Sequence, residues 1–152
     1  MAILRETGFA SNRLEVEITE SALTNDLDTT RTTLTLLQAA GVSVALDDFG
    51  TGYSSLYHLR ELKFDKIKID RSFVQSLDSE ESAKIISAII GLGHSLGIMT
   101  TAEGIETGTN SAWLAERGCS FGQGYLFGPP VPATVAGKFV ESTASRERLA
   151  AA

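Results

Sequence analysis

Five short apolar stretches each lead into side chains that can ionise or hydrogen-bond, and those endings are where chemistry could be done. Leu14–Ile18 carries Glu17 and runs on to Glu20. Val42–Leu46 leads into Asp47 and Asp48. Lys66–Ile69 carries Lys68 and leads to Asp70. Ile98–Ala102 leads to Glu103 and Glu106, and a weaker stretch around Ser120–Tyr125 carries Gln123. The Asp47-Asp48 pair poses the sharpest question, because adjacent carboxylates repel and lose hydration unless positive charge sits beside them. Glu17, Asp47, Asp48 and Glu103 form an all-oxygen set suited to hard divalent ions such as Mg²⁺ or Mn²⁺ rather than to zinc. Two such ions bridged by a carboxylate would supply the missing charge, and Lys68 would help hold or polarise an attacking water.

Each of these residues has an ordinary reading by itself. Asp before a Gly-rich turn is a routine turn or cap, Glu17-Ile18-Thr19-Glu20 reads as a strand entering a capped helix, and Lys68 with Glu103 reads as a buried ion pair. Asp48-Phe49-Gly50 suggests a kinase magnesium aspartate, but the chain has no Gly-rich phosphate loop and no His-Arg-Asp loop to go with it. His58 and His94 lie in helical stretches without ligand spacing, Cys119 reads as a small core residue, and Trp113 with Leu114 as helix packing. Chemistry outweighs structure only when the strand ends are taken together, since independent structural accidents would not all fall at one rim.

The elements that must position them alternate. Between the strands lie helical patterns at about Asp28–Ala40, Ser54–Leu62, Glu80–Leu96 and Thr109–Arg117, and Gly41, Gly97 and Gly118 follow three of them at C-cap positions. Repeated β-α units imply parallel strands with right-handed crossovers. Strand parity puts Glu15 with Glu17, Ser43 with Ala45 and Asp47, and Lys66 with Lys68 and Asp70, while Val42, Val44, Leu46, Ile67 and Ile69 fall on the opposite, aliphatic face. A polar inner face opposite an aliphatic outer one fits a barrel wall, where active sites form at the C-terminal ends of the strands. The expected fold is therefore α/β, an incomplete TIM-like β/α barrel of about five parallel strands with flanking helices. After Pro129-Pro130 and Pro132 a last helix is expected near Ala133–Glu141, then a fraying tail over 142–152.

Composition narrows the partners. At 152 residues and 43% hydrophobic the chain is read as a single domain with its core at about 10–140. A net charge of −6 argues against binding nucleic acid or an anionic membrane through a general basic surface, so no DNA or RNA partner is expected. One cysteine fits a reducing compartment, no stretch resembles a secretory signal, and no apolar run reaches membrane-spanning length. A cytoplasmic location without membrane insertion is expected.

Five ordered motifs then resemble the EAL-domain family: Glu17-Ile18-Thr19-Glu20, Leu46 to Ser55, Lys68 to Val74, Ala102 to Thr107 and Gly122 to Phe127. The likeness covers roughly residues 10–140. It implies a TIM-like barrel that opens cyclic di-GMP to its linear form using two metal ions. On that resemblance Glu17, Asp47 and Asp48 would be metal ligands, and Lys68 would contact the nucleophilic water and a metal-site carboxylate. Glu103 would be the general base or a metal-site carboxylate, Gln123 would help fix the site, and Asp70 would bind substrate. Glu20 would steady the loop after the two aspartates, Phe49 to Ser55, which lies at the family's dimer contact.

The departures carry equal weight. The chain contains no Glu-Ala-Leu, no arginine following one, and no strand to supply the family's metal-binding asparagine. Such barrels typically reach ~250 residues, so residues 1–152 are expected to be one N-terminally truncated EAL-type domain lacking its first two strands. Loss of those units would bare strand edges and apolar surface, which favours self-association, as a dimer for instance. The leading expectation is a cyclic di-GMP phosphodiesterase fragment with weak or absent activity alone. The alternatives are a non-enzymatic module that binds cyclic di-GMP or a protein partner, and a truncated product with no independent role.

Overall fold

The computed structural model of the chain describes residues 2–24, 26–50 and 55–138. Its centre is a five-stranded sheet made of β1 (Glu15–Thr19), β2 (Ser43–Phe49), β3 (Lys66–Ile69), β4 (Met99–Ala102) and β5 (Phe121–Gly122). The strands lie side by side in chain order and every pairing is parallel. Sequential order decides the architecture. Right-handed crossovers that always step the same way put every helix on one face, whereas an open doubly wound sheet reverses direction and covers both. The sheet is thus an arc of a β/α barrel wall, as expected from the alternation.

The helices are α1 (Ala2–Thr7), α2 (Leu27–Ala39), α3 (Ser55–Glu61), α4 (Arg71–Gln75), α5 (Glu80–Leu96) and α6 (Gly108–Glu116), with residues 133–138 also helical. Local chemistry sets their ends. The Asp26 carboxylate accepts from the Thr29 amide at 3.0 Å to open α2, and left-handed Gly97 closes α5. The aliphatic side of the sheet forms the core: Val44, Leu46, Ile67 and Ile69 are fully buried, with Ile86 and Ile90 of α5 packed into the same cluster.

Differences from the sequence reading have local causes. The predicted Lys66–Ile69 and Glu80–Leu96 coincide with β3 and α5, but β2 runs three residues past Leu46 and so includes both aspartates. The helices α1 and α4 and the 3-10 turns at Ser11–Arg13 and Glu20–Thr24 were not expected; each is too short to show a hydrophobic period. The predicted tail at 142–152, the end of the Ala133–Glu141 helix, and residues 51–54 of the loop after the aspartates lie outside the described residues.

Ile67 stands on the central strand with no exposure. Ile67→Ala is expected to lower stability by about 2–5 kcal/mol, the range for cavities left by aliphatic truncation. Chemical denaturation should show this as a lower midpoint at unchanged slope.

Candidate functional site at the strand ends

Register brings the predicted residues together. Glu15 pairs with Ser43, Glu17 with Ala45, and Ala45 with Lys66, while Lys68 pairs with Thr101. Their side chains share the face turned away from the helices. On it the Lys68 ammonium donates to Glu103 Oε1 at 2.7 Å, Glu17 Oε2 at 2.8 Å and Asp47 Oδ1 at 3.0 Å. One buried nitrogen therefore gathers carboxylates delivered by β1, by β2 and by the residue following β4. Ala45, lying between Glu17 and Lys66 and itself fully buried, is small enough to let charged side chains bridge over β2. Burial by itself would push the Lys68 pKa down, but the hydrogen bonds to Glu103, Glu17 and Asp47 outweigh it and hold the ammonium above its ordinary 10.5.

Asp48 needs a separate device. Strict alternation would send it to the aliphatic side with Val44 and Leu46. Instead the β2–β3 register shifts between Leu46 and Phe49, and Asp48 takes φ +55°, the left-handed region that aspartate tolerates better than most residues. Its amide donates to Asp47 Oδ1 at 3.0 Å, which ties the kink to the carboxylate already held by Lys68. Desolvation raises the Asp48 pKa, with repulsion from Asp47 and Asp70 adding to it and Lys68 opposing. Asp48 thus belongs electrostatically to the rim.

The remaining predicted residues fall into place unequally. Glu20 is buried and opens a turn packed on β1 and β2. Asp70 caps α4, accepting from the Ser72 amide at 2.9 Å and from the Ser72 hydroxyl. Desolvation opposes ionisation of Asp70, but those bonds win and lower its pKa. Gln123 shares with Glu103 the wall of a cavity of about 400 Å³. Arg71, Gln75, Glu106 and Tyr125 line it too, and Gln75 donates to Glu106 at 3.2 Å. Sequence reasoning assigned these four no role, though Arg71, Glu106 and Tyr125 stand within motifs it singled out. The cavity wall is tight. Gly104 (φ +69°) would place a Cβ 2.6 Å from Arg71 Cβ, and at Gly124 a Cβ would stand 2.2 Å from the Ile105 carbonyl oxygen, so neither position admits a side chain.

The donor set is carboxylate oxygen throughout, which suits a hard divalent cation. Its present spacing serves the ammonium: among the described residues no three acidic, histidine or cysteine groups are placed to hold an ion. Glu17, Asp47 and Glu103 each give an oxygen to Lys68, so a cation binding here would share those carboxylates with the ammonium.

With this geometry in view, comparison with known proteins is direct. The family profile of the EAL domain matches residues 1–130, and the chain belongs to the EAL-domain family. It is 42% identical over 140 residues to the cyclic di-GMP phosphodiesterase NbdA of Pseudomonas aeruginosa, covering 91% of this chain and 18% of that protein. The crystal structure of the EAL domain of Mycobacterium smegmatis DcpA superposes with a TM-score of 0.88 at 41% identity, over 93% of this chain and 64% of that one. A manganese and cyclic di-GMP complex of Klebsiella pneumoniae BlrP1 gives 0.75 at 35% identity, over 81% and 32%. The chain thus spans under a fifth of the length of the first of these relatives. Among the described residues no helix is long and apolar enough to cross a membrane.

Lys68→Met leaves three carboxylates facing each other without their cation. Removing one partner of a buried ion pair typically costs 3–5 kcal/mol; with these acids partly exposed, about 3 kcal/mol is expected here. The folded-state pKa of Lys68 is raised, so its stabilisation is complete below 10.5 and lost as pH climbs through the folded value. Thermal melts of both proteins should differ by a constant amount from neutral pH up to 10.5 and converge above it.

Proposed function

We propose that residues 1–152 are a single EAL-type unit from a cytoplasmic cyclic di-GMP phosphodiesterase, acting with Mg²⁺ or Mn²⁺. The observation that carries this reading is the convergence of Glu17, Asp47 and Glu103 on Lys68 at one rim, with Asp48 kinked toward them and Gln123 in the adjoining cavity. Glu17, Asp47 and Asp48 would hold the metal, which when bound supplies Lewis-acid charge to the phosphodiester and acidifies a water. In the reaction a water oxygen forms a bond to one phosphorus and the bond from that phosphorus to a ribose oxygen breaks, that oxygen taking a proton from solvent to become a hydroxyl of the linear dinucleotide. Lys68 orients the water by its ammonium, Glu103 takes the proton, and Gln123 fixes the site from the cavity side. Asp70 meets the substrate at the mouth of α4, and Glu20 steadies the turn beside Asp47 and Asp48.

A second reading has its own observation. Glu17, Asp47 and Glu103 are already neutralised by the Lys68 ammonium, which suits a module that binds cyclic di-GMP without cleaving it. The two readings separate in one experiment: incubate the 152-residue chain with cyclic di-GMP and Mg²⁺ or Mn²⁺, and resolve the linear dinucleotide by chromatography. These residues carry no Glu-Ala-Leu glutamate, no following arginine and no strand asparagine. Losing a single preorganised group commonly costs ~10²–10³ in rate, so turnover near background is expected, restored in a chain extended upstream and abolished there by Asp47→Asn. Saturable binding with no turnover in either length supports the non-enzymatic module.

We further propose that the unit self-associates. Phe121, Tyr125 and Phe127, at and beyond β5, are 50%, 64% and 61% exposed, and neither β1 nor β5 has a second strand partner among the described residues. Sedimentation should show a species above monomer that dissociates on dilution. A monomer at high concentration overturns this.

A further inference from the structure

Beneath the Lys68 cluster lies a second ion pair that the proposed chemistry does not use. Lys66 Nζ sits 2.6 Å from Glu15 Oε2 and 4.8 Å from the centre of the Phe121 ring. Its placement is odd. By register Lys66 lies level with Glu17, across Ala45, whereas Glu15 is one step further toward the start of the sheet. Lys66 nonetheless leans down to Glu15, and Lys68, one step higher, leans down to Glu17. Two lysines and two glutamates therefore share one face in a staggered pairing, although a level pairing of Lys66 with Glu17 was available over the same small residue.

We propose that Glu15 is a positioning residue that holds Lys66 away from Glu17, so that Glu17 stays committed to the upper rim. The physical reasoning is competition for one carboxylate. An ammonium freed from Glu15 keeps its charge and its reach, and Glu17 is the acid level with it by register; Phe121 offers it only the weaker attraction of a ring face. Once Lys66 takes Glu17, that carboxylate is drawn toward the start of the sheet and its charge is spent on a second lysine. Asp47 and Glu103 are then left alone with Lys68. This inference rests on the reading above that Glu17 helps hold a divalent cation, but the pairing itself exists without one.

Competition has a signature that simple loss of a structural contact lacks: removing the competitor restores what removing its anchor destroyed. Manganese binding to the chain, followed by water-proton relaxation, is expected to weaken about tenfold or more in Glu15→Gln, the scale of changes outside the ligand shell. It should return to the wild-type level in Glu15→Gln combined with Lys66→Met. Lys66→Met by itself should bind no more weakly than wild type. If Glu15→Gln binds manganese as wild type does, or if the double variant stays as weak as the single one, the proposal is overturned. A metal-free measurement separates its failure from failure of the metal reading. Double-mutant cycles by denaturation should find no coupling between Lys66 and Glu17 in the wild-type background and a favourable one in the Glu15→Gln background. A coupling that does not appear there overturns the proposal whether or not manganese binds.

Discussion

The rim is organised by one buried ammonium that must satisfy three carboxylates. Lys68 is 5% exposed, and a charge that far from water persists only where its donors are fully taken up. Its partners come from different parts of the chain: Glu17 from β1, Asp47 from β2 and Glu103 from just past β4. The requirement binds the sheet as a whole. A slip of one residue in β1 or β2 would turn Glu17 or Asp47 to the helix side and leave Lys68 short of a partner while burying a lone acid among aliphatic side chains. The ion cluster is thus a specificity device for register as much as a site.

Curvature follows from the same contacts. Lys66, on the middle strand, touches Glu15 on β1 to one side and Phe121 on β5 to the other. Neighbouring strands stand about 4.8 Å apart, so in a flat sheet those two edges would be some four spacings from each other. A single side chain can engage both only if the sheet wraps toward it. The aliphatic outer face permits this wrapping, since α2 and α5 pack against the convex side and bury Val44, Leu46, Ile67 and Ile69. Charge on the inside and aliphatic packing on the outside act in the same direction.

Much of this was legible in the sequence because parity and order are properties of the chain. Alternation in Glu15-Val16-Glu17 and in Lys66-Ile67-Lys68-Ile69 placed the charges on one face, and glycines 41, 97 and 118 are all left-handed after their helices, as their positions suggested. What escaped was whatever depends on a departure from alternation or on reach across strands. The Asp48 kink is one such departure: parity alone would have expelled that carboxylate, and only the register shift keeps it near Asp47. Convergence on Lys68 is another: the sequence offered Glu103 as its ion-pair partner, but not Glu17 and Asp47 closing on the same ammonium. The staggered Glu15–Lys66 pair could have been suspected from the repeat of acid and lysine two residues below Glu17 and Lys68, but its direction of lean is set by tertiary geometry.

The charge balance of the concave face bears on how so acidic a chain would meet the anionic ligand proposed for it. Glu15, Glu17, Asp47, Asp48 and Glu103 face Lys66 and Lys68, so carboxylates outnumber ammoniums on that surface, and the chain as a whole carries −6. A phosphodiester approaching it is repelled unless positive charge comes with it or is set free. Both lysines are already engaged: Lys66 by Glu15, and Lys68 by three carboxylates it cannot leave without exposing them to one another. Arg71 offers a cation in the adjoining cavity, but at the rim itself further positive charge would have to be imported, and carboxylate oxygen is the ligand that hard divalent cations accept. The acids would turn from Lys68 to the incoming ion, and the ammonium released by that exchange would stand at the same rim, free to donate to water or to a phosphate oxygen. Cation uptake and the arming of Lys68 would then be a single event, and the surplus of acid on this face is the condition for it.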